Sequence, residues 1–410
     1  IIWGTFGPIS TSVRAVYTSW SEQTLATFIL IAAVVVTIFT MPMMWLSQKF
    51  GLRFTMLLCT SITTFSATLR CFSKEEMPFT VLCYTCSVTN AFCTCLALAL
   101  PPTIAATWFP PNERTTATAI GALATQLGGA GMYFAPLLVS VPEDEQSRDD
   151  IETTQNQIMN LMYTYAGILW GLLFLVFVYF PSRPPLPPSL SSTVEHLNFF
   201  QGFKTMIKNR QVGLTMVTYC FSFGIPVVWV GVLNISLEDM GLGQDEIMWV
   251  GICSVGVSGI AAFITALISD KLYGHLRVTI CGLLAASSAC FLWFLLLVLQ
   301  VIEPTIGQVA AAVTGGISFQ FACVPLLLEM TVEMVYPCSE NVVGAVLTTA
   351  FNVVSTTFLL MFQIPVESYV WVSGVLLASQ SLTIIPLLFV RETYNRTNQD
   401  RKDVDNDAKD

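Results

Sequence analysis

Long runs of apolar residues constrain this chain more than any other feature of its sequence. A helix that crosses a lipid bilayer needs about 20 predominantly apolar residues. Eleven such segments lie near residues 23–46, 54–70, 79–107, 115–139, 157–180, 212–234, 245–268, 278–301, 305–328, 342–364 and 367–390. Segments of this length and number predict an all-α membrane protein.

The first residues extend this pattern to a twelfth segment. The chain opens at Ile1 without a methionine and stays apolar to about Tyr17. This stretch indicates the back half of a spanning helix. We therefore expect twelve transmembrane helices, with the first truncated and an N-terminal part missing from this sequence.

Composition agrees with a membrane protein and excludes several other classes. Hydrophobic residues make up 54% of the chain and charged residues 11%, whereas soluble globular chains carry about 25% charged residues. These figures exclude a disordered protein, a nucleic-acid binder and a secreted disulfide scaffold. The sequence contains no nucleotide-binding loop, nucleophile triad or metal-ligand box, so we expect no enzyme activity, no metal and no cofactor.

Cysteine and histidine also argue against a metal or redox site. Four cysteines share one apolar segment, namely Cys83, Cys86, Cys93 and Cys95. A metal or redox site is one interpretation, but free cysteine packs as a small hydrophobe and we expect that role here. His196 and His275 both fall in loops, so a histidine proton relay inside the membrane is excluded.

The distribution of lysine and arginine predicts the orientation in the membrane. Basic residues concentrate in cytosolic loops. With the loop at 47–53 inside, fourteen basic residues fall inside and four outside, the four being Arg14, Arg70, Lys74 and Arg148. Several acidic residues, from Glu143 to Glu152 and from Glu238 to Glu246, then lie in outer loops. They are interpreted as solvated loops, or as a weak attraction for cationic solutes.

The connection between the sixth and seventh spans divides the chain. Residues 181–188 are rich in proline, which favours an extended polyproline II linker. We predict a six-helix half over 1–180, a cytosolic linker over 181–211, a second six-helix half over 212–390 and a cytosolic tail over 391–410. The stretch from Leu197 to Ile207 is predicted to form a helix on the anionic cytosolic leaflet, with basic residues nearby.

The two halves repeat a short basic loop. Residues 47–53 follow the second span and residues 269–277 follow the eighth, six spans later. Both loops resemble the loop signature of the major facilitator superfamily, which is built from two parallel halves. In that superfamily the loop helps to close the cytosolic side. The resemblance makes Lys49, Arg53, Asp270 and Arg277 candidate gating residues, while Gln48 stands where the signature has an acid.

Four further stretches resemble the solute carrier 49 family. They are Trp108 to Ile120, Glu329 to Pro337, and the pair Phe180 to Ser189 with Arg391 to Arg396. The last pair is most similar to the member-4 branch, which implies a lysosomal, proton-coupled pyridoxine transporter. The sister branch, the feline leukaemia virus subgroup C receptor-related proteins, implies choline and ethanolamine transport, and has also been assigned heme export.

The predicted spans contain no ionisable residue at mid-depth, where such a residue would be the first functional candidate. Neutral polar groups and aromatic faces must therefore hold a substrate. Aromatic rings suit a quaternary ammonium group or a flat pyridine ring. The resemblance to the family suggests substrate contacts at Trp3, Gln126 and Asn352. Trp229 is a candidate on a central helix, although the substrate tyrosine of the sister branch lies two residues earlier, and Tyr133 and Tyr219 are further candidates. Core packing or interfacial anchoring is the alternative role for each aromatic residue.

Gating and coupling have fewer candidates. Glu329 and Glu333 lie one turn apart at the cytosolic end of the tenth helix, and Glu329 could titrate if closure buries it. Organisation of the loop is the alternative for both. Arg14, near the outer end of the first helix, is a gate candidate or a snorkelling side chain. Asn234 stands where the member-4 pattern has an acid, so facilitated diffusion stays open beside proton coupling.

The sequence therefore predicts a transmembrane solute transporter that works by alternating access. Its expected cargo is a small organic cation or a pyridoxine-like vitamin. Choline, ethanolamine or heme transport, or a non-transporting receptor, are the alternatives. The expected partners are a small-molecule substrate, the lipid bilayer and, in the coupled case, protons, with no nucleic acid. We expect a monomer in the lysosomal membrane, with the plasma membrane as the alternative location.

Overall fold

The structure is a computed structural model. It describes residues 2–110, 113–142, 147–181, 199–238, 240–271, 275–362, 364 and 369–397. Within these ranges the regular elements are helices, as the sequence predicts.

The helices fall into two groups along the chain. The first half comprises α1 (Ser10–Val16), α2 (Glu22–Phe50), α3 (Leu52–Leu69), α4 (Glu76–Ala99), α5 (Pro101–Trp108), α6 (Arg114–Ala130) and α7 (Arg148–Tyr179), with 3₁₀ helices at Ile2–Gly4 and Gly131–Leu137. After α8 (Phe199–Lys208), the second half comprises α9 (Arg210–Gly231), α10 (Leu233–Glu238), α11 (Gln244–Lys271), α12 (Leu276–Val298), α13 (Ile306–Val335), α14 (Glu340–Met361) and α15 (Val370–Leu388).

Ten helices of the described chain are long and apolar enough to cross a membrane. They match ten of the predicted spans, although some ends differ. The largest difference is α7, which begins at Arg148 rather than near residue 157. Asp149 and Asp150 lie in its first turn, where the positive end of the helix dipole favours acids. These two acids therefore begin a helix, and the prediction that they belong to a loop was wrong.

Proline and glycine break the remaining predicted spans. The segment predicted at 79–107 divides into α4 and α5 at Pro101 and Pro102, which cannot donate the backbone hydrogen bonds of a continuing helix. The segment predicted at 115–139 is α-helical only to Ala130 and continues as a 3₁₀ helix. The first predicted helix is interrupted between Gly4 and Ser10.

One large hydrophobic cluster runs through both halves, and the first half has smaller clusters of its own. Buried residues of the first half, among them Ile29, Leu96 and Tyr133, belong to the same cluster as the buried residues of α9 and α13. Helix α2 packs on α14 and helix α6 packs on α11. Thr37 and Thr356 share a hydrogen bond across the first of these contacts, at 3.3 Å. The four clustered cysteines of α4 are free and buried, as predicted.

Candidate functional site

Four aromatic rings of the second half meet near the middle of their helices. They are Tyr219 and Phe223 of α9, Phe321 of α13 and Phe351 of α14. The ring centroids are 4.8 Å apart for Phe223 and Phe351 and 5.4 Å apart for Phe223 and Phe321. Tyr219 lies 5.5 Å from Phe223 and 5.9 Å from Phe351. We call these four residues the ring cluster.

The residues that flank the ring cluster in the sequence are uncharged, and Asn352 is among the polar ones. Asn352 follows Phe351, is buried, and donates from Nδ2 to the carbonyl of Thr348 at 2.8 Å. In the part of the chain that the structure describes, the buried charged residues are Arg70, Glu333 and Arg396, each at or beyond the end of a helix. The mid-depth chemistry of these helices is therefore that of ring faces and neutral dipoles, as the sequence predicts.

The two halves touch on the outer side of the ring cluster. The hydroxyl of Tyr133 donates to the carbonyl of Val230 at 2.7 Å. The ring of Tyr133 also lies against the backbone of Gly251, where any Cβ would overlap it. Nearby, Gly7 approaches the carbonyl of Gly231. The contacts of Tyr133 join the 3₁₀ helix after α6 to α9 and α11, so the halves touch at the end of the bundle that is predicted to face outward.

A second set of contacts joins the halves at the predicted cytosolic end. Thr103 Oγ1 of α5 donates to Asn341 Oδ1 of α14 at 2.8 Å. Gly344 of α14 lies directly against the backbone of Ala99 at the end of α4. A cavity of about 610 Å³ opens beside these contacts and is lined by Arg53, among others. Along α9 and α14, the ring cluster thus lies between these two sets of contacts, which we call the outer closure and the cytosolic closure.

The structure brings some of the predicted substrate residues together and separates others. Tyr219 belongs to the ring cluster, and Asn352 follows Phe351 of that cluster in the sequence of α14. Trp229 does not: it is fully buried near the outer end of α9, donates from Nε1 to Ser236 Oγ at 3.1 Å, and packs on two phenylalanines of α12. Tyr133 lies at the outer closure. The side chains of Trp3 and Gln126 lie outside the described part of the structure.

Sequence reasoning missed Phe223, Phe321 and Phe351. Two signals for them were present in the sequence. Phe223 lies four residues after Tyr219, which places both on one face of a helix, and Phe351 precedes a residue already chosen as a candidate. Phe321 carries no comparable signal, because only the packing of α13 against α9 brings it to the other rings.

The predicted coupling acids belong to a buried ionic cluster with the C-terminal tail. Arg396 Nη2 lies 2.6 Å from Glu329 Oε1, Nη1 lies 3.2 Å from Glu340 Oε1, and Nε lies 3.8 Å from Glu333 Oε1. The backbone amides of Arg396 and Thr397 both donate to Glu333 Oε2. The tail cluster, as we call these five residues, thus ties the tail to the cytosolic ends of α13 and α14.

The remaining gating candidates have local partners. Arg14 Nη1 pairs with Glu22 Oε1 of the same half at 2.9 Å. Lys49 lies over the rings of Trp45 and Phe50. Arg277 donates to the carbonyl of Val390 and, from its amide, to Glu392 Oε1, so it also holds the tail. The side chain of Asp270 lies outside the described part of the structure.

Comparison with known proteins agrees with this architecture. The family model described as the Major Facilitator Superfamily matches residues 1–359. The chain is similar to the solute carrier family 49 member 4 homolog of Xenopus laevis, with 28% identity over 97% of this chain and 88% of the relative. It is also similar to the choline/ethanolamine transporter FLVCR1 of Felis catus, with 27% identity over 78% of this chain and 57% of the relative.

A solved structure has a similar fold. It is the xylose transporter XylE from E. coli in a partially occluded inward open conformation. The TM-score is 0.68 at 13% identity, and the alignment covers 96% of this chain and 94% of that chain. At this identity the similarity concerns the fold alone.

Proposed function

The chain belongs to the Major Facilitator Superfamily, and from that premise we propose that it moves a small organic cation or a pyridoxine-like vitamin by alternating access. In this mechanism the two halves rock about a site between them and expose it to one side of the membrane at a time. The observation that carries the proposal is the position of the uncharged ring cluster between an outer and a cytosolic contact of the halves.

The chemistry of the ring cluster supports this substrate class. A cation over an aromatic face gains about 0.5–2 kcal/mol, and a flat pyridine ring gains a comparable amount by offset stacking. In this conformation the rings of Phe223 and Phe351 contact each other. A substrate that enters exchanges these ring contacts for its own, with Tyr219 and Asn352 able to supply a hydroxyl and an amide.

Choline or ethanolamine is the second candidate, because a relative named for those substrates covers most of this chain. A quaternary ammonium group suits the same ring faces. Trp3, Gln126 and Trp229 stay proposed contacts that complete the site in other conformations. Heme transport and a non-transporting receptor are further alternatives that the uptake experiment below separates.

Proton coupling is proposed to involve Glu329 rather than Glu333. Glu329 is the more exposed of the two, with 20% of its side chain accessible against 3% for Glu333. Arg396 Nη2 lies 2.6 Å from Glu329 Oε1, so a tail that moves away carries this guanidinium off the carboxylate. Acid-stimulated uptake that persists in Glu329→Gln would remove Glu329 as the coupling group.

The function is tested by uptake of labelled pyridoxine, choline and heme into proteoliposomes, with and without a pH gradient. Phe351→Leu is expected to lower uptake of the transported compound by about 2- to 30-fold, because it removes one ring face. Phe358→Leu is the matched control, since Phe358 lies two turns further along α14 and packs on Phe362 and Trp371. Equal uptake by the two variants contradicts the site, and absence of any flux in the unmodified protein favours a receptor.

The lysosomal membrane is the proposed location and the plasma membrane is the alternative, with a monomer as the proposed state. The resemblance of residues 180–189 and 391–396 to the member-4 branch supports the lysosomal assignment. Co-localisation of the tagged full-length protein with lysosomal or plasma-membrane markers separates the two locations.

A further inference from the structure

One face of the short helix α8 packs against the rest of the protein. Phe199, Gly202 and Met206 are buried. Gly202 comes so close to the beginning of α14 that a Cβ in its place would lie 2.7 Å from Cys338 Sγ and 3.4 Å from a methyl group of Val342. This face therefore holds α8 against the segment that enters α14, the helix whose first turns make the cytosolic closure.

The opposite face of α8 combines exposed apolar side chains with basic ones. Phe200 is 74% exposed and Ile207 is 61% exposed. Lys204 and Lys208 are also exposed. Residues spaced by four, seven and eight positions share one face of an α-helix, so these four side chains form a single stripe, which we call the α8 stripe.

The place of α8 in the chain puts the α8 stripe at the level of the membrane surface. Only Asn209 separates α8 from α9, which begins at Arg210 and is one of the spanning helices. The sequence from 199 to 211 contains three basic residues and no acidic one. Large apolar side chains flanked by lysines at this depth match the boundary between headgroups and acyl chains.

We propose that the α8 stripe is a docking surface for the headgroups of anionic lipids in the cytosolic leaflet. Phe200 and Ile207 enter the acyl boundary while Lys204 and Lys208 contact the negative headgroups. The charge complementarity with an anionic leaflet and the continuity of the stripe with a spanning helix both select this partner. Through Gly202, the lipid contact also presses α8 on the entry to α14 and so supports the cytosolic closure.

The binding is tested with the purified full-length protein, titrated with phosphatidylserine or phosphatidylcholine and followed by native mass spectrometry. Lys204→Gln/Lys208→Gln is expected to weaken phosphatidylserine binding by about fivefold per lysine, hence about 25- to 30-fold, and to leave phosphatidylcholine binding unchanged. Lys74→Gln/Arg148→Gln is the matched control, because it removes two charges at the opposite end of the molecule. Equal binding by both double variants and the unmodified protein overturns the proposal.

Two further experiments test the contribution of the apolar side chains and whether inorganic phosphate competes with the lipid headgroup. Phe200→Ser/Ile207→Ser is expected to weaken binding of both lipids, since it removes the inserted apolar groups. Inorganic phosphate is expected to leave phosphatidylserine binding unchanged, and displacement by phosphate overturns the assignment to a lipid. Both readouts are independent of transport, so the proposed function and this surface stand or fall separately.

The effect of lipid binding at the α8 stripe on the entry to α14 is measured separately. Residue-resolved alkylation of Cys338 is compared in vesicles of phosphatidylcholine with and without phosphatidylserine. Phosphatidylserine is expected to slow alkylation in the unmodified protein and to have no effect on Lys204→Gln/Lys208→Gln. Equal rates in the two vesicles for the unmodified protein contradict the coupling of the α8 stripe to α14.

Discussion

Arg396 shows how far the surroundings of one residue can depart from its place in the sequence. It stands in a polar segment after the last span, among other basic residues. In the structure its side chain is only 6% exposed and lies among three carboxylates. A buried cation that loses its partners, or a carboxylate that loses its cation, is strongly destabilised. Arg396 is therefore expected to hold the tail in place.

Replacing Arg396 by alanine is expected to release the tail from α13. The change leaves the carboxylates of Glu329, Glu333 and Glu340 close together without their cation, at a cost of roughly 3–5 kcal/mol. Amide hydrogen exchange at residues 396 and 397 is expected to accelerate about 100-fold or more, because each 1.4 kcal/mol is a factor of ten. Arg391→Ala is the control, since Arg391 is exposed and its backbone amide donates to Gln211 Oε1, a contact that the substitution leaves in place. Equal acceleration in both variants would contradict the tail cluster.

At the scale of elements, the junction after α6 decides how the outer end closes. The change from α-helix to 3₁₀ helix at Gly131 turns Tyr133 toward the second half. Its ring occupies the space above Gly251 of α11. The close approach is possible only because residue 251 has no side chain.

Gly251→Ala is expected to hold the outer closure open. The added methyl group overlaps the ring of Tyr133, and overpacking of this kind costs roughly 1–3 kcal/mol, so the closed state becomes about 5- to 150-fold less populated. Uptake and hydrogen exchange of residues 131–137 report the change. Gly256→Ala, in the same helix but with open space around it, is expected to behave like the unmodified protein. A variant at 251 with unchanged uptake and exchange would show that the contact is dispensable.

The contact between α8 and Cys338 is expected to depend on pH. Burial, followed by the nearby charge of Glu340, raises the pKa of the Cys338 thiol to about 11, and Gly202 of α8 is one of the groups that lie against this thiol. When α8 lifts, the thiol returns toward the lower pKa, so the stability of docking is constant below pH 9 and falls as the pH rises from 9 to 11. The thiolate is the reactive form, so alkylation of Cys338 is expected to rise steeply in that interval.

Gly202→Leu is expected to shift the rise in Cys338 alkylation to lower pH, toward the ordinary thiol pKa, because the side chain displaces α8. Gly213→Leu serves as the control, since open space surrounds Gly213. If Cys338 of the unmodified protein reacts rapidly at pH 7, α8 does not shield it.

For the whole molecule, alternating access requires the contact between Thr103 and Asn341 to break in every cycle. A disulfide in Thr103→Cys/Asn341→Cys is expected to stop uptake on oxidation and to restore it on reduction. Ser254→Cys/Thr314→Cys is the matched pair, because those side chains are 3.1 Å apart within the second half. A disulfide there is expected to leave uptake running. Continued uptake with the first pair oxidised would exclude rocking at this contact.

Much of the fold could be predicted from the sequence, and less of the site. The all-helical fold and the superfamily are confirmed, because apolar length and the repeated loop are local signals. The beginning of α7 was misplaced and the breaks after Ala99 and Ala130 were missed, since charge, proline and glycine act over only a few residues and compete with apolar length. Tyr219 was a candidate, but Phe321 could not be, because its partner lies about a hundred residues away in the chain.

By itself, the sequence determined that this protein crosses a bilayer many times and which segments form the spans. The length of a span depends on local composition and on bilayer thickness. The tertiary structure alone decided which rings meet, which acids Arg396 binds and where the halves touch. Those contacts depend on the rotation and tilt of each helix against its neighbours, and the packing of the whole bundle sets these angles.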